Sequence, residues 1–414
     1  MRQKRILLLG GNFYPELTGV GKYNGEMVDF LAKSGYDCTV ITSYPYYPFW
    51  KVQAPYKKNS WWYRKEIKQV SGANTDVTIY RCPQYVPSRP SGSKRILLDF
   101  SFCLSCFFSI LPLLFKKKFD HIIAVAPSFQ IGLIGLFYSK IKRAQLIYHI
   151  QDLQIDAARD LKMIKSKRLI NVLLSIERFI LKHADIVSSI SPGMIKRIEA
   201  KCGRTITYFP NWVDTKSLYP MTEKIQLKES FGFSGSDFII LYSGAIGEKQ
   251  GLEDIIHTAN LLSQIPNLKF VICGSGPYKE NLLKLKESLG IENVFFLSLQ
   301  PFEKLNALLN MADVHLVLQK ANASDLVMPS KLTSILSVGG VALVTTSKNS
   351  SLFEMVDTNK IGVVVEPENK EELTVAIKRL MNVDKEKISN NAFIYAQQNF
   401  SIDTVFSRFT RCLI

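Results

Sequence analysis

The sequence predicts an α/β protein made of two successive domains, each a parallel sheet with helices packed against it. Three observations lead there. The chain has 414 residues, more than one ordinary core accommodates. Short apolar runs fit for buried strands recur in both halves, with segments of helical periodicity between them. A stretch with two prolines and no periodicity, PNWVDTKSLYP, separates the two series. The apolar share of 47% and the charged share of 21% are those of a folded globular chain.

The first half opens with a strand from Ile6 to Leu9 and a loop holding Gly10, Gly11, Gly19 and Gly21. A helix from Lys22 to Lys33 follows, capped by Gly35, and then a strand from Cys38 to Thr42. Such a β-α-β unit calls for parallel strands and a right-handed crossover. Ligands of these sheets bind beyond the carboxyl ends of the strands, where this glycine loop lies. The glycines are not spaced G-x-G-x-x-G, so a dinucleotide fingerprint is not met.

The next stretch, SYPYYPFWKVQAPYKKNSWWYRKE, reads as a long aromatic loop. Acceptor binding, contact with a membrane interface and simple packing as a flap all remain open for it. Ile96 to Phe115 is the most apolar stretch and is followed by Lys116, Lys117 and Lys118. As a helix it would be ~30 Å long, enough for a bilayer. Asp99, Pro112 and the strand expected at Ile122 to Ala126 argue against a crossing. The expectation is a helix partly buried and partly dipped into the membrane interface, with the lysines at lipid headgroups; a wholly buried core helix is the other reading. Further strands are expected at Leu146 to His149, Ile186 to Ile190 and Ile206 to Phe209, with a helix from Leu169 to Lys182.

In the second half the expected strands are Ile239 to Tyr242, Lys269 to Cys273, Val294 to Leu297, Val314 to Leu318, Val341 to Thr345 and Gly362 to Val365. A helical tail runs from Lys385 to Thr410. The domains are then residues 1–212, residues 213–385 and a C-terminal helix, 386–414, packing back toward the first domain. The pivotal stretch is IILYSGAIGEKQG, Ile239 to Gly251. A strand passes through Ser243, Gly244 and Gly247 into the helical run LEDIIHTANLL, which aims unpaired N–H groups and a helix dipole at one point. Phosphate is attracted there, and Lys249 adds a positive charge. Gly274-Ser275-Gly276 forms a second glycine turn opening a helix.

The net charge of +16 is uneven. Residues 1–213 hold 32 Lys and Arg against 14 Asp and Glu, and the remainder holds 20 against 22. Only the first half is therefore suited to an acidic partner. No helix-turn-helix, zinc or RNA-recognition pattern appears, so nucleic acid is not expected. An anionic membrane surface fits the charge, as does a solvated basic face. The seven cysteines are scattered and mostly lie in apolar runs, Cys103 and Cys106 included. They read as core residues of a protein in a reducing cytoplasm. The apolar run near the N-terminus is too short for a signal peptide. No Asp-x-Asp pair and no His/Cys cluster with ligand spacing is present, so no metal and no cofactor is expected.

Five motifs occur together: GGNFYPELTGVGKY, HIQD, PNWVD, YSGAIGEKQGLEDII with FVICGSG, and VMPSKLTSILSVGG. In combination they resemble a family 4 glycosyltransferase of the GT-B fold, nearest to the colanic-acid-biosynthesis, fucosyltransferase-like (WcaI-type) group. The resemblance spans essentially the whole chain. It implies two Rossmann-like domains facing across a cleft. It also implies retaining transfer of a sugar from a nucleoside diphosphate sugar, with GDP-fucose as one candidate. The acceptor would be a lipid-linked glycan of a cell-surface polysaccharide, met at the cytoplasmic face of the membrane.

The same resemblance implies the residue roles. Gly244, Glu248, Lys249 and Gln250 would lie at the diphosphate, with Lys249 neutralising the leaving group. Gly274, Ser275 and Gly276 would line the nucleoside. Ser324, Asp325, Pro329, Ser330, Lys331 and Thr333 would grip sugar and phosphates, and Gly19 and Gly21 would close from the first domain. His149 would sit near the transferred sugar, with Asp152 one turn on. Read without the family, His149 ends a strand at the ligand-binding edge, where an acid/base or ligand role outweighs a structural one. The remaining histidines, His121, His183, His257 and His315, read as structural. The sequence departs from the family at two places. Leu326 and Ser334 stand where a Glu-x7-Glu pair is common, and Ala245 and Gln250 where Arg and Lys are common. Diphosphate binding would then lean on Lys249, Lys331 or backbone donors. A nucleotide-sugar epimerase or hydrolase of the same fold and a non-catalytic sugar-nucleotide-binding scaffold remain as alternatives.

Overall fold

The computed structural model describes residues 2–16, 19–89, 91–160, 164, 166–320 and 329–413, with the backbone alone at Ser93 and Lys249. The chain divides into two compact units, Met1–Phe209 and Pro210–Ile414.

The first unit is built on an eight-stranded sheet. Its strands are β1 (Arg5–Leu9), β2 (Asp37–Ser43), β3 (Arg64–Lys68), β4 (Val77–Cys82), β5 (His121–Ala126), β6 (Gln145–Ile150), β7 (Ile186–Ser189) and β8 (Thr207–Tyr208). They lie in the order β3-β4-β2-β1-β5-β6-β7-β8, all parallel except the edge pair β3–β4. The helices are α1 (Gly19–Lys33), α2 (Gly92–Ile110), α3 (Ile131–Lys142), α4 (Gln154–Asp160), α5 (Lys167–His183) and α6 (Pro192–Cys202). The chain proceeds from β1 outward to β2 on one side and to β5 on the other. Parallel sheets bind their ligands at such a reversal, here beside the carboxyl ends of β1 and β5.

The aromatic loop is shorter than its sequence suggests. Arg64–Lys68 forms β3, an edge strand with no apolar alternation, and its exposed charges protect the open edge. The short helix α4 was likewise hidden in HIQDLQIDAARDL. It is tied into the unit by Lys201 of α6, which donates to Glu177 of α5 (2.6 Å) and to Asp156 of α4. On β4, Arg81 is fully buried. It donates to the carbonyls of Ser43 (3.1 Å) and Tyr14 (2.5 Å) and to Glu66 (3.1 Å). One side chain thus fastens the loop after β1 and the end of β2 to the sheet edge.

The apolar stretch 96–115 is one α-helix followed by a 3₁₀ turn, Leu111–Phe115. Pro112 lacks the N–H that would bond back to Phe108, so the α-helix stops at Ile110. Leu98, Phe102, Cys106 and Ile110 are buried against the unit, and Leu97, Phe100, Leu104 and Phe108 are exposed. The helix is therefore apolar all round but covered on one side only.

The second unit carries a six-stranded parallel sheet, β9 (Phe238–Ser243), β10 (Leu268–Cys273), β11 (Val294–Leu297), β12 (Val314–Val317), β13 (Ala342–Thr345) and β14 (Gly362–Val365). Its order is β11-β10-β9-β12-β13-β14, with the chain reversal between β9 and β12. The helices are α7 (Lys224–Ser230), α8 (Glu253–Leu261), α9 (Lys279–Ser288), α10 (Phe302–Met311), α11 (Lys331–Ser337), α12 (Ser351–Thr358), α13 (Lys370–Asn382), α14 (Glu386–Asn399) and α15 (Ile402–Phe409). Ile239 and Leu241 enter one core and Ile240 and Tyr242 the other, because both faces of the sheet are covered. The C-terminal segment is two helices rather than one. Ala392, Ala396 and Phe400 lie in the core of the second unit, and Phe406 packs edge-on against Trp212 at 4.6 Å.

Arg81→Met should cost about 3 kcal/mol in urea denaturation, because it strands two buried carbonyls and removes one partner of Glu66. A loss under about 1 kcal/mol would show that the edge holds without it.

Candidate active site

In the second unit the site grows from two strand ends. β9 ends at Ser243 and Gly244 follows with φ +147°; β10 ends at Cys273 and Gly274 follows with φ +156°. L side chains avoid this region. Space imposes the same choice. A Cβ on Gly274 would fall well inside contact distance of the Gly244 carbonyl, and one on Gly276 would strike the carbonyl of Ile246. The two loops close backbone to backbone. Gly244 N–H donates to Cys273 O (2.9 Å), Ile246 N–H to Ser275 O (2.9 Å) and Tyr278 N–H to Ile246 O (3.3 Å).

The turn runs into the helix expected over LEDIIHTANLL, with one more short element before it. Glu248–Gln250 is a 3₁₀ turn, Gly251 follows at φ +63°, and α8 begins only at Glu253. Glu253 and Asp254 occupy its first turn, so carboxylates already answer the positive end of that helix. Burial and the neighbouring Glu253 raise the Asp254 carboxyl. Tyr278 donates to Glu253 at 2.5 Å. Glu248 and Ser275 are exposed on the rim. Gln250 is half-buried, and its Oε1 has no hydrogen-bond partner among the described residues.

An amine comes from another strand end. Lys331 is the first residue of α11, after β12, across the reversal from β9. Its Nζ lies 3.5 Å from the centre of the Tyr242 ring and 3.0 Å from the place a Gly244 Cβ would take. The amine is buried without a hydrogen-bond partner among the described residues. Burial alone pushes it down to about 7. Tyr242, the group it faces, donates its hydroxyl to Ala245 O (2.7 Å) and is itself raised by burial. Pro329, Ser330 and Thr333 shape the turn around Lys331. Leu332 N–H donates to Pro329 O and Thr333 Oγ1 to Ser330 O, both at 2.9 Å. Thr333 is buried, so its hydroxyl serves the helix turn, whereas Ser330 is exposed. Ser324, Asp325, Leu326 and the side chain of Lys249 lie outside the described residues.

In the first unit, His149 is not in a loop. It lies within β6, fully buried, with Nδ1 3.0 Å from Ser188 Oγ and its ring 4.9 Å from Phe209. Burial lowers it to about 3, so the imidazole is neutral at physiological pH. Its Nε2 has no hydrogen-bond partner among the described residues. Asp152 follows in the bend between β6 and α4, half-buried, so the two are not stacked on a helical turn. Gly19 opens α1 at φ +60°, and Gly21 sits in the first turn, where a Cβ would come within 2.5 Å of Glu16 Oε2. Glu16, missed in the sequence, is a buried carboxylate. Nothing in its local sequence separates it from an exposed loop residue. Among the described residues no group of three or more His, Cys, Asp or Glu could hold a metal.

A buried, unpaired amine weakens the fold. Relative to its ordinary value of 10.5, the depressed Lys331 costs stability in full below about pH 7, and the cost fades as pH rises toward 10.5. Lys331→Met should therefore be more stable than the parent at pH 7 by about 1–3 kcal/mol, and the gap should narrow by pH 9.5. Urea denaturation at the two pH values decides it; a variant less stable at pH 7 contradicts the reading.

Two family models match the chain. Residues 18–212 match the glycosyl transferase 4-like domain and residues 223–399 match glycosyl transferases group 1. A protein named for colanic acid biosynthesis, the glycosyl transferase WcaI of Escherichia coli (strain K12), is 38% identical over 98% of both chains. Among solved structures, sucrose-phosphate synthase from Thermosynechococcus elongatus superimposes with a TM-score of 0.75, at 16% identity over 99% of both chains. The Anabaena protein Alr3699/HepE in complex with UDP and glucose gives 0.69, at 16% identity over 99% of both. These likenesses show the GT-B fold, and the identity to WcaI over nearly the whole length shows more: the chain is a glycosyltransferase and belongs to the WcaI-type members of family 4.

Proposed function

We propose that this enzyme moves a sugar, with retention of configuration, from a nucleoside diphosphate sugar to a lipid-linked acceptor in the synthesis of a cell-surface polysaccharide. The observation that carries the reading is Lys331. An amine beside the glycine turn of β9, with no hydrogen-bond partner among the described residues, gains a counter-ion when a diphosphate arrives, and stabilises charge on the leaving group as the sugar departs. In this reading the amine does the work often given to a metal ion, and transfer is metal-independent. The backbone of Gly244 and Gly274, with Ser275, Gln250 and Glu248 nearby, lines the donor. His149, neutral and with no hydrogen-bond partner for Nε2 among the described residues, serves as a hydrogen-bonding group to the sugar rather than as a general acid. GDP-fucose is the first donor to try, on the strength of the family alone.

The acceptor side of the reading rests on the outer face of the first unit. Leu97, Phe100, Leu104, Phe108 and Phe115 are exposed along α2 and the turn after it, and Trp61 and Trp62 are exposed nearby in sequence to Tyr63, which donates to Ser105 O of α2 (3.2 Å). The carboxylates on α2, α3 and α5 are Asp99 and Glu177, both buried, while Lys94, Lys140, Arg168, Arg178 and Lys182 are exposed. Apolar side chains framed by cations, with no exposed acid on these helices, suit the anionic surface of the cytoplasmic membrane face.

Two measurements test the proposal. In a thermal-shift panel with UDP, GDP, dTDP and CDP, one nucleotide should raise the melting midpoint, and Lys331→Met should abolish most of the shift although the free variant is more stable. No shift with any of the four would remove the donor reading. In vesicle flotation the enzyme should bind phosphatidylglycerol but not phosphatidylcholine, with Leu104→Asp/Phe108→Asp weakening binding about tenfold. Equal binding by the variant would return α2 to a purely structural role.

A further inference from the structure

His149 has two ring nitrogens, and what it can do for a sugar depends on which of them carries the proton. Strand register fixes its neighbours. β6 lies between β5 and β7, and His149 stands level with Val125 on one side and Ser188 on the other. Residues level with one another in a sheet turn their side chains to the same face. Val125 is apolar, so Ser188 is the lateral neighbour able to bond the imidazole, and its Oγ lies 3.0 Å from Nδ1. Phe209 holds the ring from another side, tilted by 59° with 4.9 Å between centres. Both His149 and Ser188 are fully buried.

Two arrangements fit the 3.0 Å contact. If Nδ1 carries the proton and donates to Ser188, the serine hydroxyl hydrogen needs an acceptor elsewhere. Among the described residues it has none. Thr207, level with Ser188 on β8, makes no hydrogen bond to it, and Ser188 Oγ has no hydrogen-bond partner there besides His149. Nε2 would then be a bare acceptor, again without a partner among the described residues. Two buried polar groups are left over. If the hydroxyl instead donates to Nδ1, the proton sits on Nε2 and only that N–H is left over. One buried polar group fewer without a partner shifts the balance between the two forms about fivefold or more. The imidazolium does not compete, because burial lowers His149 to about 3.

We propose that Ser188 is a positioning residue: its hydroxyl donates to Nδ1 of His149 and so fixes the imidazole as the Nε2–H tautomer, a hydrogen-bond donor toward the transferred sugar. The tautomer follows from the first unit alone, and its use toward the sugar rests on the donor reading above. An Nε2–H group meets an oxygen lone pair and has no room for another proton. His149 therefore takes no proton from the acceptor hydroxyl, and the sugar offers it an oxygen. A donor analogue lacking that oxygen leaves the N–H unpaired in a buried place and is rejected.

The test uses the whole protein with isotope-labelled histidine rings. One-bond and longer-range proton–nitrogen spectra at about pH 7 tell a protonated ring nitrogen from a bare one, and the signals missing in His149→Gln are those of His149. The parent should carry its proton on Nε2, with the Nδ1 resonance displaced by the hydrogen bond it accepts. Ser188→Ala should move Nδ1 to the position of an unbonded acceptor, and Ser188→Thr, which keeps the hydroxyl, should bring it back. A proton on Nδ1 in the parent, or an Nδ1 signal that Ser188→Ala leaves unmoved, overturns the proposal. The parent spectrum decides the tautomer even where a variant fails to fold. No nucleotide is present in these spectra, so failure of the donor reading and failure of the tautomer are told apart. For the nucleotide that the thermal-shift panel selects, compared bare and as its fucose or glucose ester, Ser188→Ala should keep the shift of the bare nucleotide and lose most of the increment added by the sugar. Loss of the bare nucleotide's shift would mark Ser188 as merely structural, and an unchanged sugar increment would remove its role toward the sugar.

Discussion

The approach of two bare backbones at the ends of β9 and β10 is the constraint on which the second unit depends. Gly274 has no Cβ because the Gly244 carbonyl stands where it would go, and Gly276 has none because of Ile246. Only with both loops zipped can Tyr242 present its ring beneath the end of α11, and only then does Lys331 lie over it beside Gly244. The three strands β9, β10 and β12 meet at the chain reversal of the sheet, where parallel α/β sheets leave room for a ligand. Glu253 and Asp254 already occupy the first turn of α8 beside it.

The first unit solves its loop problem with charge rather than with glycine contacts. Arg81 and Glu16 are buried polar side chains, each spending hydrogen bonds on the backbone of nearby loops. Neither is a stabiliser in the sense of an added salt bridge, since burying a charge costs more than an isolated pair returns. What they supply is shape. The turn after β2 is tied down where Glu16 accepts the N–H groups of Tyr46 and Tyr47, and Trp50 follows at φ +52°. Gly21 completes the arrangement by leaving room for the carboxylate.

Lys331 lies against the Tyr242 ring with no hydrogen-bond partner for its amine among the described residues. An aromatic face holds a cation without neutralising it, which keeps the charge in place for an anion that arrives later. Burial lowers the proton affinity of the Lys331 amine.

Much of this was legible in the chain itself. The six strands of the second sheet match their apolar runs to within a residue or so, because parallel strands covered on both faces must be apolar throughout. The motifs from Gly10 to Gly340 were enough to point to the family, and Lys331 was already among the residues expected at the phosphates. The polar edge strand β3 and the short helix α4 were not legible, since neither carries an apolar period. Nor was the burial of His149, whose short strand reads the same whether its last residues face solvent or Phe209. Residue type and spacing determine which segments become strands and where the backbone must be bare. Which charged groups end up buried, unpaired and poised depends on what the other strands bring beside them, and only the tertiary structure decides that.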